Sequence, residues 1–234
     1  MRTDAARRAV VRDALGVGIA VGSYGFAFGA ASVSAGLSVL QTCLLSLLAF
    51  TGGSQFAVVG VVGGGGGYPA ALAGGLLLGS RNTLYAMRLS PLLRVRGPRR
   101  LLAALGTIDE STAMALAQLG RRRAEPPTSG VQRSEELARL AFWATFAGVF
   151  TFWNVATLLG AVAGSLLDPR AIGLDAVVPA AFLAFLAPRL RAGPTERRVA
   201  LGGATIAAVL IPFSPAGVPV LAACAALLLA GRLR

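Results

Sequence analysis

Arg81 is the residue whose type and position point most directly to chemistry. It lies near the middle of the apolar block Ala70–Leu93, in the sequence GSRNTLY that ends at Tyr85. A guanidinium at the centre of a bilayer costs about 2.5–3.5 kcal/mol on insertion scales, so it needs a carboxylate, carbonyl groups or water. Its planar fork suits a substrate carboxylate, and a structural pair with Gln55 or an internal acid would satisfy it equally well.

A polar break in a second apolar block, Leu37–Val62, is the next candidate. The sequence TGGSQ at residues 51–55 leaves flanking pieces, 37–50 and 56–66, that are each too short for an ordinary membrane span. Non-helical backbone survives at membrane depth only where it is buried in protein or lines a cavity. The predicted substrate-binding residues at the break are Gly52, Gly53, Ser54 and Gln55, and Tyr85 and Asn154 complete the predicted site.

Asn154 and two neighbouring acids each allow a structural and a functional interpretation. Asn154 interrupts the block Leu140–Leu167 and would either form interhelical hydrogen bonds or face a central cavity. Asp109 and Glu110 would be solvated acids of an amphipathic interfacial helix over 101–119, or else a coupling or gating site. The first interpretation of the acids rests on five positions predicted to share one helical face, of which all but the threonine are apolar: Leu101, Leu105, Ile108, Thr112 and Leu119.

The residue types that are missing exclude most enzyme chemistry. The chain has no His and no Lys, which removes His-based triads, His metal ligands and Lys Schiff bases. Cys43 and Cys224 lie in apolar blocks and offer neither metal spacing nor a disulfide framework. We therefore expect no enzyme activity, no metal site and no cofactor.

Long apolar segments must position these residues. Hydrophobic residues make up 55% of the 234 residues and charged residues 14%, against roughly 25% charged in a soluble domain. The sequence predicts an all-α, polytopic membrane helical bundle of about seven hydrophobic segments with a broken or re-entrant second segment, forming one domain over 1–234. The stripe of Gly18, Gly22, Gly25 and Gly29 favours close helix packing, with a substrate path as the alternative. The hydrophobic segments are Ala14–Ala35, Leu37–Val62, Ala70–Leu93, Leu140–Leu167, Ala171–Ala187, Val199–Ile211 and Val218–Ala230.

Arginine clusters set the predicted topology. Positive loops stay in the cytoplasm, which explains the net charge of +12 without a nucleic-acid partner. Keeping every cluster inside requires an even number of crossings before residue 94, so the broken segment is predicted to be a re-entrant hairpin or two short spans. Both termini and a basic loop over about 94–139 are then cytoplasmic. The clusters lie at residues 1–13, 91–100, 121–139, 188–198 and 232–234.

Five short sequences in order resemble the AzlC family, the large subunit of branched-chain amino acid exporters. They are FTGGSQF at 50–56, RNTLY at 81–85, TIDES at 107–111, FWN at 152–154, and GLD at 173–175 leading to PAAF at 179–182. The resemblance implies export of valine, leucine, isoleucine and sometimes methionine, and a small AzlD-type membrane subunit as partner. Family members often carry His where this chain has Asn82, so coupling would use voltage or the acids Asp109, Glu110 and Asp175.

These observations predict a secondary transporter subunit in the lipid bilayer of a bacterial cytoplasmic membrane. Exposed amides at the break and Arg81 would hold the carboxylate of a branched-chain amino acid, and apolar walls would take its side chain. The proton or voltage gradient would drive export. The alternative is a non-transporting membrane scaffold or assembly protein, which would use the glycine stripe and the polar centres only for packing.

Overall fold

The computed structural model describes residues 2–121, 131–166, 177–214 and 218–228. Every regular element in these ranges is helical, which confirms the predicted all-α class for this part of the chain. Two short 3₁₀ segments, Ile211–Phe213 and Ala223–Leu227, follow α11 and α12. In chain order, the helices are α1 (Arg2–Gly22), α2 (Tyr24–Ser34), α3 (Val39–Leu48), α4 (Gly53–Gly63), α5 (Tyr68–Gly79), α6 (Arg81–Leu93), α7 (Pro98–Leu105), α8 (Asp109–Arg121), α9 (Val131–Leu166), α10 (Val177–Ala192), α11 (Pro194–Leu210) and α12 (Val218–Ala222).

Helix α9 forms the centre of the bundle, because α1, α2, α3 and α8 all pack against it. Its 36 residues extend for about 54 Å at a rise of about 1.5 Å per residue. The glycine stripe permits the contact: a Cβ added to Gly18 would lie 2.9 Å from the carbonyl carbon of Gly148, and one on Gly29 would overlap the carbonyl oxygen of Thr157. The packing interpretation of this stripe is confirmed.

Two pairs of short helices form hairpins that enter the bundle from opposite ends. Helix α3 begins just after α2, and α4 returns to the same place, since a Cβ on Gly63 would lie 3.1 Å from Cβ of Ala35. Helices α7 and α8 start and finish near the end of α6, where Leu92 packs in one cluster with Ala103 and Ala115. Between these hairpins, α5 and α6 follow one another through the helical turn at Ser80.

Two expectations about helix continuity are wrong. The apolar block Ala70–Leu93 forms two helices, so Arg81 begins α6 instead of lying inside one long helix. The stretch 101–119 is no single amphipathic helix, because a turn at residues 106–108 separates α7 from α8. Ile108 and Thr112 are buried while Leu101 is 75% exposed, since the turn carries the chain from the surface into the core.

Three of the predicted arginine clusters share one end of the bundle. Arg7 of α1 lines the same surface cavity as Arg133 and Arg139 of α9. The last turn of α6, which leads to Arg94, packs against Phe142 of α9. We call this the arginine end. A shared end is what the topology requires, and the side of the membrane on which it lies stays a prediction.

The outer surface carries many exposed apolar side chains. Leu48, Leu76, Leu101 and Leu166 are each at least 65% exposed, and a surface this rich in leucine is typical of a protein surrounded by lipid. Within the described residues, two helical stretches are long and apolar enough to cross a membrane, at 4–34 and 132–166. The other described helices have 5–17 residues, so the count of about seven spans stays a prediction.

Candidate functional site

Gln55 stabilises the tip of the α3–α4 hairpin, and the backbone conformation at residue 52 of this tip requires glycine. Gln55 is fully buried, and its Nε2 donates hydrogen bonds to the carbonyls of Leu45 and Ser46 near the end of α3, both at 3.3 Å. Gly52 precedes α4 at φ +56° and ψ −85°, a conformation that residues with a Cβ rarely adopt. The amides of the first turn of α4, which have no partner within the helix, therefore lie at the hairpin tip.

Helices α5 and α6 place Arg81 beside that tip. The end of α5 lies close to α4, since a Cβ on Gly79 would lie 3.2 Å from Oγ of Ser54. Arg81 follows at the first position of α6, and its Nη2 lies 3.6 Å from where a Cβ of Gly53 would be. The guanidinium is thus next to the N-terminus of α4.

The α7–α8 hairpin brings the two acids to the same place. Its tip is held internally by Ser111, whose Oγ donates to the carbonyl of Gly106 at 2.5 Å and accepts from the amide of Ile108 at 3.2 Å. Gly106 packs against the ring of Phe146, since a Cβ there would lie 2.6 Å from Cγ of that ring. Asp109 and Glu110 begin α8, where the helix dipole favours negative charge.

A cavity of about 500 Å³ lies among the two hairpin tips and the start of α6. Its volume is within the range of about 300–1,000 Å³ that small-ligand sites occupy. The cavity lies near the middle of the bundle, because Phe146, beside the α7–α8 tip, is about 22 Å along α9 from Val131. Gly52 and Gly53 line the cavity, and the charged and polar side chains of its lining are Thr51, Arg81, Asp109, Glu110, Trp153 and Arg189.

Arg81 and Asp109 form an ion pair across this cavity. Nη2 of Arg81 lies 2.6 Å from Oδ2 of Asp109, and the two side chains are 40% and 42% exposed. Tyr85, one turn further along α6, interacts with the same carboxylate. Glu110 and Arg189 line the cavity as well, so the formal charges of its two acids and two arginines cancel.

Buried polar atoms around the cavity lack partners among the described residues. Trp153 is 2% exposed, yet its Nε1 has no acceptor, and Nε of Arg81 has none either. The hydroxyls of Thr51 and Ser54 are also without a hydrogen bond. A buried N–H group without an acceptor is costly, and both of these groups belong to residues that line the cavity.

The structure brings together most, but not all, of the predicted site residues. Gly52, Gly53, Arg81, Asp109 and Glu110 line the cavity, and Tyr85 contacts Asp109. Ser54 and Gln55 line a neighbouring cavity of about 550 Å³ instead. Asp175 lies outside the described residues.

Asn154 lies apart from this cavity, in a hydrogen-bond cluster between helices. Its Oδ1 accepts from Oγ of Ser46 at 2.7 Å, which joins α9 to α3. Its Nδ2 donates to the carbonyl of Phe150 at 2.8 Å, within α9. These bonds match the interhelical interpretation of Asn154.

Trp153 and Arg189 line the cavity and were missed by the sequence analysis. Trp153 immediately precedes Asn154, and adjacent helical residues face different directions, so a polar residue at 154 gives no signal for a site at 153. Arg189 was assigned to a loop cluster because Arg191 and two later arginines follow it. Among the described residues, no group of three or more His, Cys, Asp or Glu could hold a metal ion.

A helical bundle with a lipid-suited surface and a charged cavity at mid-height defines the chain as a helical membrane protein. A family model described as AzlC protein matches residues 16–167, more than half of the chain, so the protein belongs to the AzlC family. It is 27% identical over 184 residues to the inner membrane protein YgaZ of Escherichia coli K12, covering 75% of this chain and 69% of YgaZ. An uncharacterized membrane protein of Archaeoglobus fulgidus is 28% identical over 213 residues, covering 88% of this chain and 85% of that protein. No solved structure matches the chain.

Proposed function

We propose that this protein is a secondary transporter subunit that exports branched-chain amino acids across the cytoplasmic membrane. The observation that carries the proposal is the cavity at mid-height in which Arg81 lies beside the N-terminus of α4. Half-helix N-termini hold anionic substrate groups in other transporters, and a guanidinium binds carboxylates through two parallel hydrogen bonds. Valine, leucine and isoleucine, with methionine as a further substrate, are the proposed cargo.

The shape of the lining supports an aliphatic amino acid. Val21, Leu78, Val149 and Trp153 provide apolar wall around the charged groups, so a branched side chain and a carboxylate can be accommodated together. Asp109 and Glu110 are the proposed coupling or gating groups, with Asp175 as a third, and the proton or voltage gradient is the proposed driving force.

The proposed assembly includes a small AzlD-type membrane subunit. The proposed topology places both termini and the arginine end in the cytoplasm, with α3 and α4 forming a re-entrant hairpin from the opposite side. The meeting of three arginine clusters at one end supports this orientation, because positive segments are retained inside. No nucleic acid and no cofactor take part in the proposed function.

Efflux of labelled leucine from membrane vesicles, with and without the small subunit, tests the proposal. Arg81→Lys keeps the positive charge but loses the planar guanidinium that can bind a carboxylate through two hydrogen bonds. We expect efflux to fall by about ten-fold or more. The matched control is Arg139→Lys, whose guanidinium pairs with Glu135 on the surface of α9 at 3.2 Å and should leave efflux unchanged. Folded protein that exports no leucine even with the small subunit would favour the scaffold alternative.

A further inference from the structure

The Arg81–Asp109 ion pair connects two parts of the site that belong to different elements. Arg81 begins α6, whereas Asp109 begins α8 at the tip of a separate hairpin. The 2.6 Å contact between Nη2 and Oδ2 joins the two helices directly, across the cavity. The two opposite charges are therefore paired with each other, and a ligand that takes either one in full has to separate the pair.

We propose that Asp109 is the ammonium receptor of the site, and that a zwitterionic amino acid binds by replacing this ion pair. The ligand carboxylate takes the place of Asp109 on Arg81, and the ligand ammonium takes the place of Arg81 on Asp109. This inference rests on the proposed transport function and assigns to each residue the part of the ligand that it recognises.

Charge balance favours this exchange over binding of a simple anion. A carboxylate without an amino group would pair with Arg81 but would leave Asp109 without its cationic partner, with only Tyr85 interacting with it, next to the acidic Glu110. An amine without a carboxylate would pair with Asp109 and leave Arg81 unpaired. Stranding one member of a partly buried pair is costly, so only a ligand with both charges replaces the bond without loss.

The geometry of an α-amino acid fits the exchange. Its ammonium and carboxylate groups are attached to the same carbon, so they can contact only protein groups that lie close together. Arg81 and Asp109 meet this condition. Nε of Arg81 has no hydrogen-bond partner and belongs to the guanidinium that would take the carboxylate, while Tyr85 interacts with Asp109. The site thus offers a positive group for the carboxylate and a negative group for the ammonium, side by side.

A ligand series on the purified full-length protein tests the inference without any mutation. Competition against tritiated leucine would compare leucine with its 2-oxo acid, 4-methyl-2-oxopentanoate, and with 3-methylbutylamine, which lack the ammonium and the carboxylate respectively. We expect each analogue to bind at least about ten-fold more weakly than leucine. An oxo acid that binds within about three-fold of leucine would overturn the inference and leave the proposed transport function intact.

The Asp109→Asn variant provides a second test of the inference, in the same competition assay. Without the carboxylate, the oxo acid strands no charge, so its affinity should approach that of leucine to within about three-fold. Asp13→Asn is the matched control, because Asp13 lies on α1 and pairs with the exposed Arg12, and it should retain the full preference for leucine. A preference of ten-fold or more that survives in Asp109→Asn would refute the role of Asp109. Wild-type protein that binds no leucine at all would refute the proposed function together with this inference.

Discussion

Arg81 and Asp109 should show strong coupling in a double-mutant cycle. Arg81→Gln removes the cationic partner of the Asp109 carboxylate, and Asp109→Asn removes the anionic partner of the guanidinium. Each single change should therefore destabilise the fold. The double variant strands no charge, so it should recover most of the lost stability.

The exposure of the two side chains sets the magnitude. At 40% and 42% exposure, solvent screens both charges, although they lie in a cavity near the middle of the bundle. The loss should exceed the roughly 0.2–1 kcal/mol of an exposed pair and fall below the roughly 3–5 kcal/mol for breaking a buried one. We expect about 1–2 kcal/mol for each single variant, which lowers the melting temperature by about 2–8 °C in a chain of this size.

Thermal unfolding of the detergent-purified variants measures the coupling, and leucine efflux is measured on the same proteins. The control cycle uses Arg12→Gln and Asp13→Asn, a pair at 3.2 Å in which the arginine is 80% exposed, where coupling should be close to zero. A coupling energy for Arg81 and Asp109 below about 0.5 kcal/mol would refute this reasoning. A stable double variant without efflux would support a substrate role, whereas normal efflux from it would leave the pair purely structural.

Three further changes test other parts of the molecule. Gly29→Ala should destabilise the protein by more than about 3 kcal/mol because its methyl meets the backbone of α9, while Gly16→Ala, in open space, should be neutral or stabilising in the same thermal assay. Gln55→Leu removes two hydrogen bonds that hold the α3–α4 turn and should cost about 2–4 kcal/mol, against less than about 0.5 kcal/mol for the exposed Gln132→Leu. A cysteine at Thr128, in a cysteine-free background, should be labelled only from the cytoplasm, and labelling only from outside would reverse the topology.

The sequence predicts the polar centres of this fold better than it predicts the helices around them. Intramembrane charge and broken helix are both costly in lipid, so Arg81, Gly52 and Gly53 stand out from their apolar surroundings. All three line the cavity. Asn154 was predicted to be a site residue but does not line the cavity. A polar residue in an apolar helix can instead form a hydrogen bond with a neighbouring helix, here with Ser46 of α3.

The turn at 106–108 was missed for a different reason. Apolar residues at 101, 105, 108 and 119 keep helical spacing from α7 through the turn into α8, so periodicity alone could not locate the break. Gly106 was the available signal, and its importance comes from the aromatic ring of Phe146, which leaves no space for a Cβ. Contacts between residues that are distant in the chain, such as Arg81 with Asp109, cannot be read from spacing at all.

Under the proposed exchange of ion pairs, the charge of a ligand, more than the shape of its side chain, decides whether it binds in the cavity. A ligand that lacks one of two charges leaves Arg81 or Asp109 unpaired, whereas a ligand that lacks one methylene only leaves a small gap against Val21, Leu78 or Val149. The missing methylene discriminates by about 1–3 kcal/mol at most, and less where the wall can relax. A site built in this way should accept several aliphatic amino acids with similar affinity, because its strictest requirement is met by every one of them.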